Sequence, residues 1–145
     1  MRAVIQRVKS ASVTVDGKCV GRIGRGLLTL LGVKKGDTVS DLERLIAKIL
    51  KLRIFEDDAG KMNLSLVDAG GEHLVVSQFT LCADTSKGNR PGFFDAAAPE
   101  AAEPIWRRAI ELSLAGGVKT EGGQFQARMD VGLINDGPVT IVLDS

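Results

Sequence analysis

Along the first 33 residues, apolar and β-branched positions alternate or cluster between glycines, in "AVIQRV", "ASVTV", "KCVGRI" and "GLLTLLGV". A period of two is what a half-buried strand produces, so this stretch predicts three or four strands in a meander. Asp16-Gly17 stands between two of the runs, where a type I′ hairpin turn needs positive φ at both central residues. From Ser40 the period changes. Leu42, Leu45, Ile46, Ile49 and Leu50 follow helical spacing, and Ser40 with Glu43 three residues on reads as a capping box, so a helix is predicted here.

Residues 53–56, "RIFE", predict a short strand closed by the turn "DDAG", after which "KMNLSL" alternates again. The run "HLVVSQFTLCAD" from His73 is apolar enough for a central strand, with Gln78 and Thr80 on one face and Ser77, Phe79 and Leu81 on the other. A loop, "TSKGNRPGF", then leads to a second helical pattern through Ala102, Ile105, Trp106, Ala109 and Ile110, stopped by Gly116-Gly117. Pro104 requires that helix to begin after it or to start with an irregular turn. The segments "QFQARMDVGLI" and "VTIVLD" finish the chain as strands. No repeat or linker interrupts the pattern. The expected fold is one α/β domain over residues 1–145, a mixed, curved or barrel-like β-sheet with two principal helices.

A chain of 145 residues buries roughly 70% of the surface its unfolded form exposes, so no metal or disulfide staple is required. Lys and Arg number 19 against 18 Asp and Glu, which gives none of the electrostatic footprint of a protein that coats nucleic acid. No run approaches the ~20 apolar residues of a membrane span, and "MRAVIQRVKS" lacks the apolar core of a signal peptide, so a cytoplasmic protein is expected. The cysteines, Cys19 and Cys82, have no metal-binding spacing, and His73 is the single histidine. Both thiols read as buried and inert, and no metal is expected.

Candidate chemistry is sparse. Ser77 or Thr80 with His73 is the nearest approach to a nucleophile and base, but residues four apart on a strand lie ~13 Å apart and residues seven apart face opposite ways. A remote base would have to be Asp, Glu or Lys, and no spacing singles one out. Walker A, dinucleotide-binding and HExxH motifs are absent. The residues by themselves leave function open. Two stretches remain conspicuous. In "SQFTL", polar side chains midway along a central strand need either neighbouring backbone or a ligand as partner. In "NDGPVT", Gly137-Pro138 precedes the apolar positions Val139, Ile141 and Leu143, either as an ordinary turn or as a backbone built for a purpose.

"SQFTL" at 77–81, "NDGPVT" at 135–140 and the opening "MRAVIQRVKSASVTV" closely resemble the D-aminoacyl-tRNA deacylases, also called D-tyrosyl-tRNA deacylases. The similarity extends through "RIFEDDAGKMNLSL" and "SQFTLCADTSKGNRPGF" to the closing strand. It implies hydrolysis of the ester between a D-amino acid, or glycine, and the terminal adenosine of tRNA, with no metal or organic cofactor. It further implies a homodimer with each active site at the subunit interface. Gly137 and Pro138 match a cis pair that reaches into the partner's site, where fixed carbonyls hold the substrate ammonium and obstruct an L side chain. Arg7 matches the arginine that holds this loop; its alternative is a solvated residue on an outer strand.

By the same resemblance Ser77, Gln78, Phe79 and Thr80 line the catalytic half, where the Phe79 and Thr80 amides can stabilise an oxyanion. Thr80 is read as shaping the site more than reacting. Phe125 and Met129 match residues of the adenine end and the adjoining wall, with core packing as the alternative. Gln126 departs from the pattern, which has a small residue there. Lys87, Arg90 and Lys119 are candidate contacts to the acceptor end of the RNA. Two other readings stay open: a non-catalytic RNA-end or small-molecule binding module of the same fold, and an editing deacylase that accepts L-aminoacyl esters.

Overall fold

The computed structural model describes all residues, Met1–Ser145. The first strand, β1 (Arg2–Val15), absorbs both "AVIQRV" and "ASVTV", so the opening meander has three strands, with β2 (Lys18–Ile23) and β3 (Gly26–Gly32). Asp16 and Gly17 have φ of 48° and 76°, the two positive values that a type I′ hairpin requires. Helix α1 (Val39–Leu50) buries Leu42, Leu45, Ile46, Ile49 and Leu50. Its cap lies two residues earlier than Ser40. Thr38 Oγ1 accepts from the Asp41 amide at 3.2 Å, while Asp41 Oδ2 accepts from the Thr38 amide at 2.9 Å.

Next come a small hairpin of β4 (Phe55–Glu56) and β5 (Met62–Leu64), then β6 (Glu72–Ser77). The strand predicted through Asp84 stops at Ser77. After Gln78 donates to the Leu31 carbonyl at 2.8 Å, the chain turns into a short 3₁₀ helix, Phe79–Cys82. The alternation assigned to 77–82 therefore does not hold, because a short apolar run has no period that separates a strand from a turn of helix. Helix α2 (Pro99–Ala115) starts before Pro104 and contains it, with Pro99 in the first turn where its missing N–H is harmless. Gly117, at φ 83°, ends α2, its amide bonding Leu114 O while the Val118 amide bonds Ser113 O.

Strand β7 (Thr120–Gly122) is short, and residues 124–129 are a turn rather than the expected strand. The two closing segments are one long strand, β8 (Asp130–Asp144). The main sheet runs β2-β1-β3-β6-β7, with β8 on the other edge of β1. Pairing is antiparallel around β1 and parallel for β3-β6 and β6-β7. The sheet curls until β2 meets β7. A Cβ on Gly21 would lie 2.4 Å from the Gly122 carbonyl oxygen, so the near-closure depends on a bare backbone there. Alternate side chains split the interior. Leu27, Leu31 and Val75 pack with both helices, while Leu28, Leu74 and Val76 pack with Val8, Val13 and Ile23 in a second cluster. Each fully buried Leu, Ile or Val contributes roughly 1.5–3 kcal/mol.

Cys82 is buried, which pushes its thiol pKa up, but Cys19 is exposed on β2, contrary to expectation. His73 is wholly buried between the sheet and α2. Ser113 donates its hydroxyl to Ala109 O at 3.0 Å, so it accepts from His73 Nδ1–H at 3.0 Å, leaving Nε2 to accept from Thr29 Oγ1 at 2.8 Å. Both nitrogens are occupied by a neutral ring, and burial lowers its pKa to about 4.

The unfolded chain takes up this proton near its ordinary pKa of 6.5, the folded one near 4. Stability therefore falls as pH falls between those values, by about 3 kcal/mol in all, and this contribution is flat below. Denaturant titrations from pH 7 to pH 4.5 are expected to show that slope, and His73→Gln to remove it. Gly21→Ala is expected to cost about 1–3 kcal/mol by forcing β2 away from β7, measured by the same titrations at pH 7.

Candidate active site

The β1-β3 register is unbroken from Arg2 to Val8. On the opposite edge Gln6 pairs with Thr140 and Val8 pairs with Asn135. Four β8 residues, Asp136 to Val139, therefore stand opposite Arg7 alone and bulge from the ladder. Gln6 ties the ends of the bulge together: its Nε2 donates to Asn135 Oδ1 at 2.5 Å and its Oε1 accepts from Thr140 Oγ1 at 2.8 Å. Arg7 lies beneath it, buried rather than solvated. Its Nε donates to the Asp136 carbonyl at 3.0 Å and one Nη to the Ile54 carbonyl at 2.5 Å, with Asp136 Oδ2 at 3.4 Å from Nε. Within the bulge the Gly137-Pro138 peptide is cis and Gly137 has φ 125°. A Cβ on Gly137 would come within 2.9 Å of the Arg7 guanidinium, so the close fit of arginine to loop also needs glycine.

A separate cleft of about 670 Å³ opens between the end of β6, the start of α2 and the turn before β8. It brings together Ser77, Gln78, Phe79, Phe125, Gln126 and Met129 from the residues singled out in the sequence. Phe79 meets Phe93 edge to face at 5.1 Å, and Phe125 lies against Trp106 at 5.8 Å. Trp106 is itself fixed by donating Nε1–H to the Val75 carbonyl at 3.1 Å. The polar side chains on the wall are Ser77, Gln78 and Gln126; the rest of the lining is apolar.

Phe79 and Thr80 open the 3₁₀ helix, whose first amides have no acceptor within the turn, and no other group of the protein accepts from either. Two main-chain donors thus sit where β6 delivers the chain to the cleft. Thr80 does not line it, but its Oγ1 accepts from Gln78 Nε2. That hydroxyl makes no hydrogen bond to a His, Asp, Glu or Lys side chain, and His73 is engaged in the core. Arg7, Gly137 and Pro138 are absent from this chain's cleft lining.

Sequence reasoning missed Gln6, whose polar side chain on an alternating strand looks like any solvated residue. It also missed Phe93 and Trp106, which read as loop and helix core. Lys119 pairs with Glu72 Oε1 at 2.9 Å, at the end of β6 remote from Ser77, and so lies away from the cleft. Lys87 and Arg90 belong to a loop closed by the Asp84–Gly92 bridge, just before Phe93.

The family model for D-Tyr-tRNA(Tyr) deacylase matches residues 4–144. D-aminoacyl-tRNA deacylases of Jannaschia sp. (strain CCS1) and Desulfatibacillum aliphaticivorans are 59% and 58% identical, covering all of this chain and 99% of each relative. A solved structure titled c-Myc DNA Unwinding Element Binding Protein is 46% identical and superposes with a TM-score of 0.93, covering 100% of this chain and 99% of that one. Another, titled as a probable eukaryotic D-amino acid tRNA deacylase, shares the fold at a TM-score of 0.84 with 19% identity, covering 99% and 98%. A match of this extent, over a curled mixed sheet with two helices, means that the chain belongs to the D-Tyr-tRNA(Tyr) deacylase family.

Proposed function

We propose that this protein hydrolyses the ester of D-aminoacyl-tRNA, and of glycyl-tRNA, releasing free tRNA. The observation that carries the reading is the unpartnered amide of Phe79 at an apolar cleft, with the equally unpartnered Thr80 amide next to it in the chain. An ester carbonyl placed against them finds its developing oxyanion solvated by donors already in position; one such donor is typically worth ~10²–10³ in rate. With no side-chain base hydrogen-bonded to Thr80, water attacks with help from the substrate's own ribose 2′-hydroxyl. Thr80 then positions Gln78 and is not a nucleophile.

Chirality is read by exclusion. The Gly137-Pro138 bulge, held from beneath by Arg7, enters the cleft of a second copy, accepts the α-ammonium group and leaves no room for an L side chain. Glycine has no side chain to exclude and is hydrolysed too. The dimer is supported by β8, which pairs only with β1 and presents Leu133, Ile134 and Val142 at 41%, 58% and 56% exposure. A free apolar edge of this length calls for a partner. The name of the 46%-identical structure favours a second reading, a nucleic-acid binder without turnover. Multiple-turnover release of tRNA eliminates it.

Matched D-tyrosyl-, L-tyrosyl- and glycyl-tRNA, incubated with the protein and EDTA, are expected to lose the D and glycyl esters and keep the L ester. Survival of all three at high enzyme concentration overturns the reading. Thr80→Val is expected to keep turnover within about tenfold; no detectable turnover with fold and affinity intact would restore Thr80 to a chemical role. Arg7→Lys keeps the charge but loses the fork that joins Ile54 O to Asp136 O. It is expected to destabilise the protein by about 2 kcal/mol and to raise L-tyrosyl-tRNA hydrolysis relative to D, read from the ratio of kcat/KM values.

A further inference from the structure

Phe94 is the most exposed large apolar side chain of the protein, at 82% against 58% for Phe79 and Ile134, which come next. It stands at the tip of a tight turn, residues 93–96, closed by the Ala96 amide donating to the Phe93 carbonyl at 3.1 Å. Both ends of the turn, Phe93 and Ala96, line the cleft, and Phe94 itself does not. Phe93 is held inward against Phe79, so Phe94 belongs to the rim. The turn is anchored on both sides of its ring: the Lys35 amide donates to the Asp95 carbonyl at 2.9 Å, and the Ala97 amide to the Val33 carbonyl at 3.0 Å. A Cβ on Gly92 would lie 3.2 Å from two carbons of the Phe94 ring, so the ring lies close against bare backbone and the rest of it is open.

The charges around the ring indicate what covers it. Lys34 and Lys35 flank the turn from one side, where Lys34 bridges to Ala96, and Lys87 and Arg90 come from the loop closed by the Asp84–Gly92 bridge. None of these four side chains makes an ion pair. Two carboxylates nearby are engaged, Asp37 with the terminal ammonium and Asp84 with the Ser86 amide. An exposed aromatic ring flanked by unpaired cations suits single-stranded nucleic acid, with a base stacked on the ring and phosphates held by the cations. Asp95, the remaining acid of the turn, repels phosphate but not a base, which keeps the two roles apart.

We infer that Phe94 is a binding residue for the nucleotide that precedes the terminal adenosine of the substrate, its ring forming a stacking subsite outside the cleft. The inference rests on the deacylase reading above and extends that site by one nucleotide. The aminoacylated adenosine occupies the cleft, so the first base outside it is the one that meets the rim. Stacking accepts any base, so the contact adds affinity for a polynucleotide end over a free nucleoside without selecting sequence.

The test measures Kd for three non-hydrolysable, amide-linked D-tyrosyl analogues: adenosine alone, cytidylyl-adenosine, and the same dinucleotide with an abasic residue in place of cytidine. The unaltered protein is expected to bind cytidylyl-adenosine roughly tenfold more tightly than the abasic analogue. Phe94→Ala is expected to abolish that advantage while the Kd for adenosine stays within about twofold, and Phe94→Trp to restore it. Equal Kd values for the two dinucleotides on the unaltered protein, or an advantage that survives Phe94→Ala, overturn the inference. So does a variant that loses adenosine binding to the same degree, which marks a structural role, or one whose only change is its oligomeric state in sedimentation, which assigns the ring to a second copy. Base-dependent binding without hydrolysis of D-tyrosyl-tRNA upholds the inference and counts against the proposed activity alone.

Discussion

A strand hydrogen-bonded along both edges has to keep two registers at once, and β1 does so for most of its 14 residues. Its pairing with β3 is regular through Arg7, so the extra residues that β8 carries cannot be absorbed by sliding β1. They leave the sheet at one place, between Asn135 and Thr140. Arg7 and Gln6 are adjacent on β1 and point to opposite faces, so the same two residues fix the bulge from below and across its mouth. The shape of the Gly137-Pro138 segment is thus a consequence of strand pairing, set by residues almost the whole chain away.

Features set by neighbours in sequence were legible in it. The Asp16-Gly17 turn, the apolar stripe of α1 and the stop at Gly116-Gly117 each depend on a few consecutive residues. The end of β6 was not legible. There the chain is deflected next to Gly32, on which a Cβ would meet the Gln78 carbonyl at 2.9 Å, a contact between segments far apart in sequence. For the same reason β8 read as two strands, since the bulge that interrupts it is defined only against β1. Periodicity placed none of the cleft residues. Ser77 and Gln78 stood out as polar residues in an apolar strand, Phe79, Phe125 and Met129 came from family resemblance, and the structure gathers all five around one cleft. Gln126 was legible as an anomaly, whose cause, a positive φ, is a property of the turn.

The single histidine illustrates how composition misleads. A lone imidazole invites a catalytic reading, yet His73 has Thr29 on one nitrogen and Ser113 on the other and joins the central sheet to α2 in the core. Removed from solvent and held neutral, it is a hydrogen-bonded spacer between two elements. The cleft in turn has aromatic walls, three polar side chains and main-chain donors. Such a surface orients a substrate and stabilises charge without supplying a proton carrier of its own.

The donors at the end of β6 belong to the main chain, and this affects how the protein tolerates genetic change. Any of the 19 residues that carry an N–H presents the same group at positions 79 and 80, provided the turn keeps its shape; only proline deletes one. What a side-chain replacement there would alter is the Phe79 contact with Phe93 or the Thr80 contact with Gln78, and not the donors themselves. Their contribution is encoded in the path of the chain, and it is lost by disturbing β6 and Gly32 rather than by altering Phe79 or Thr80.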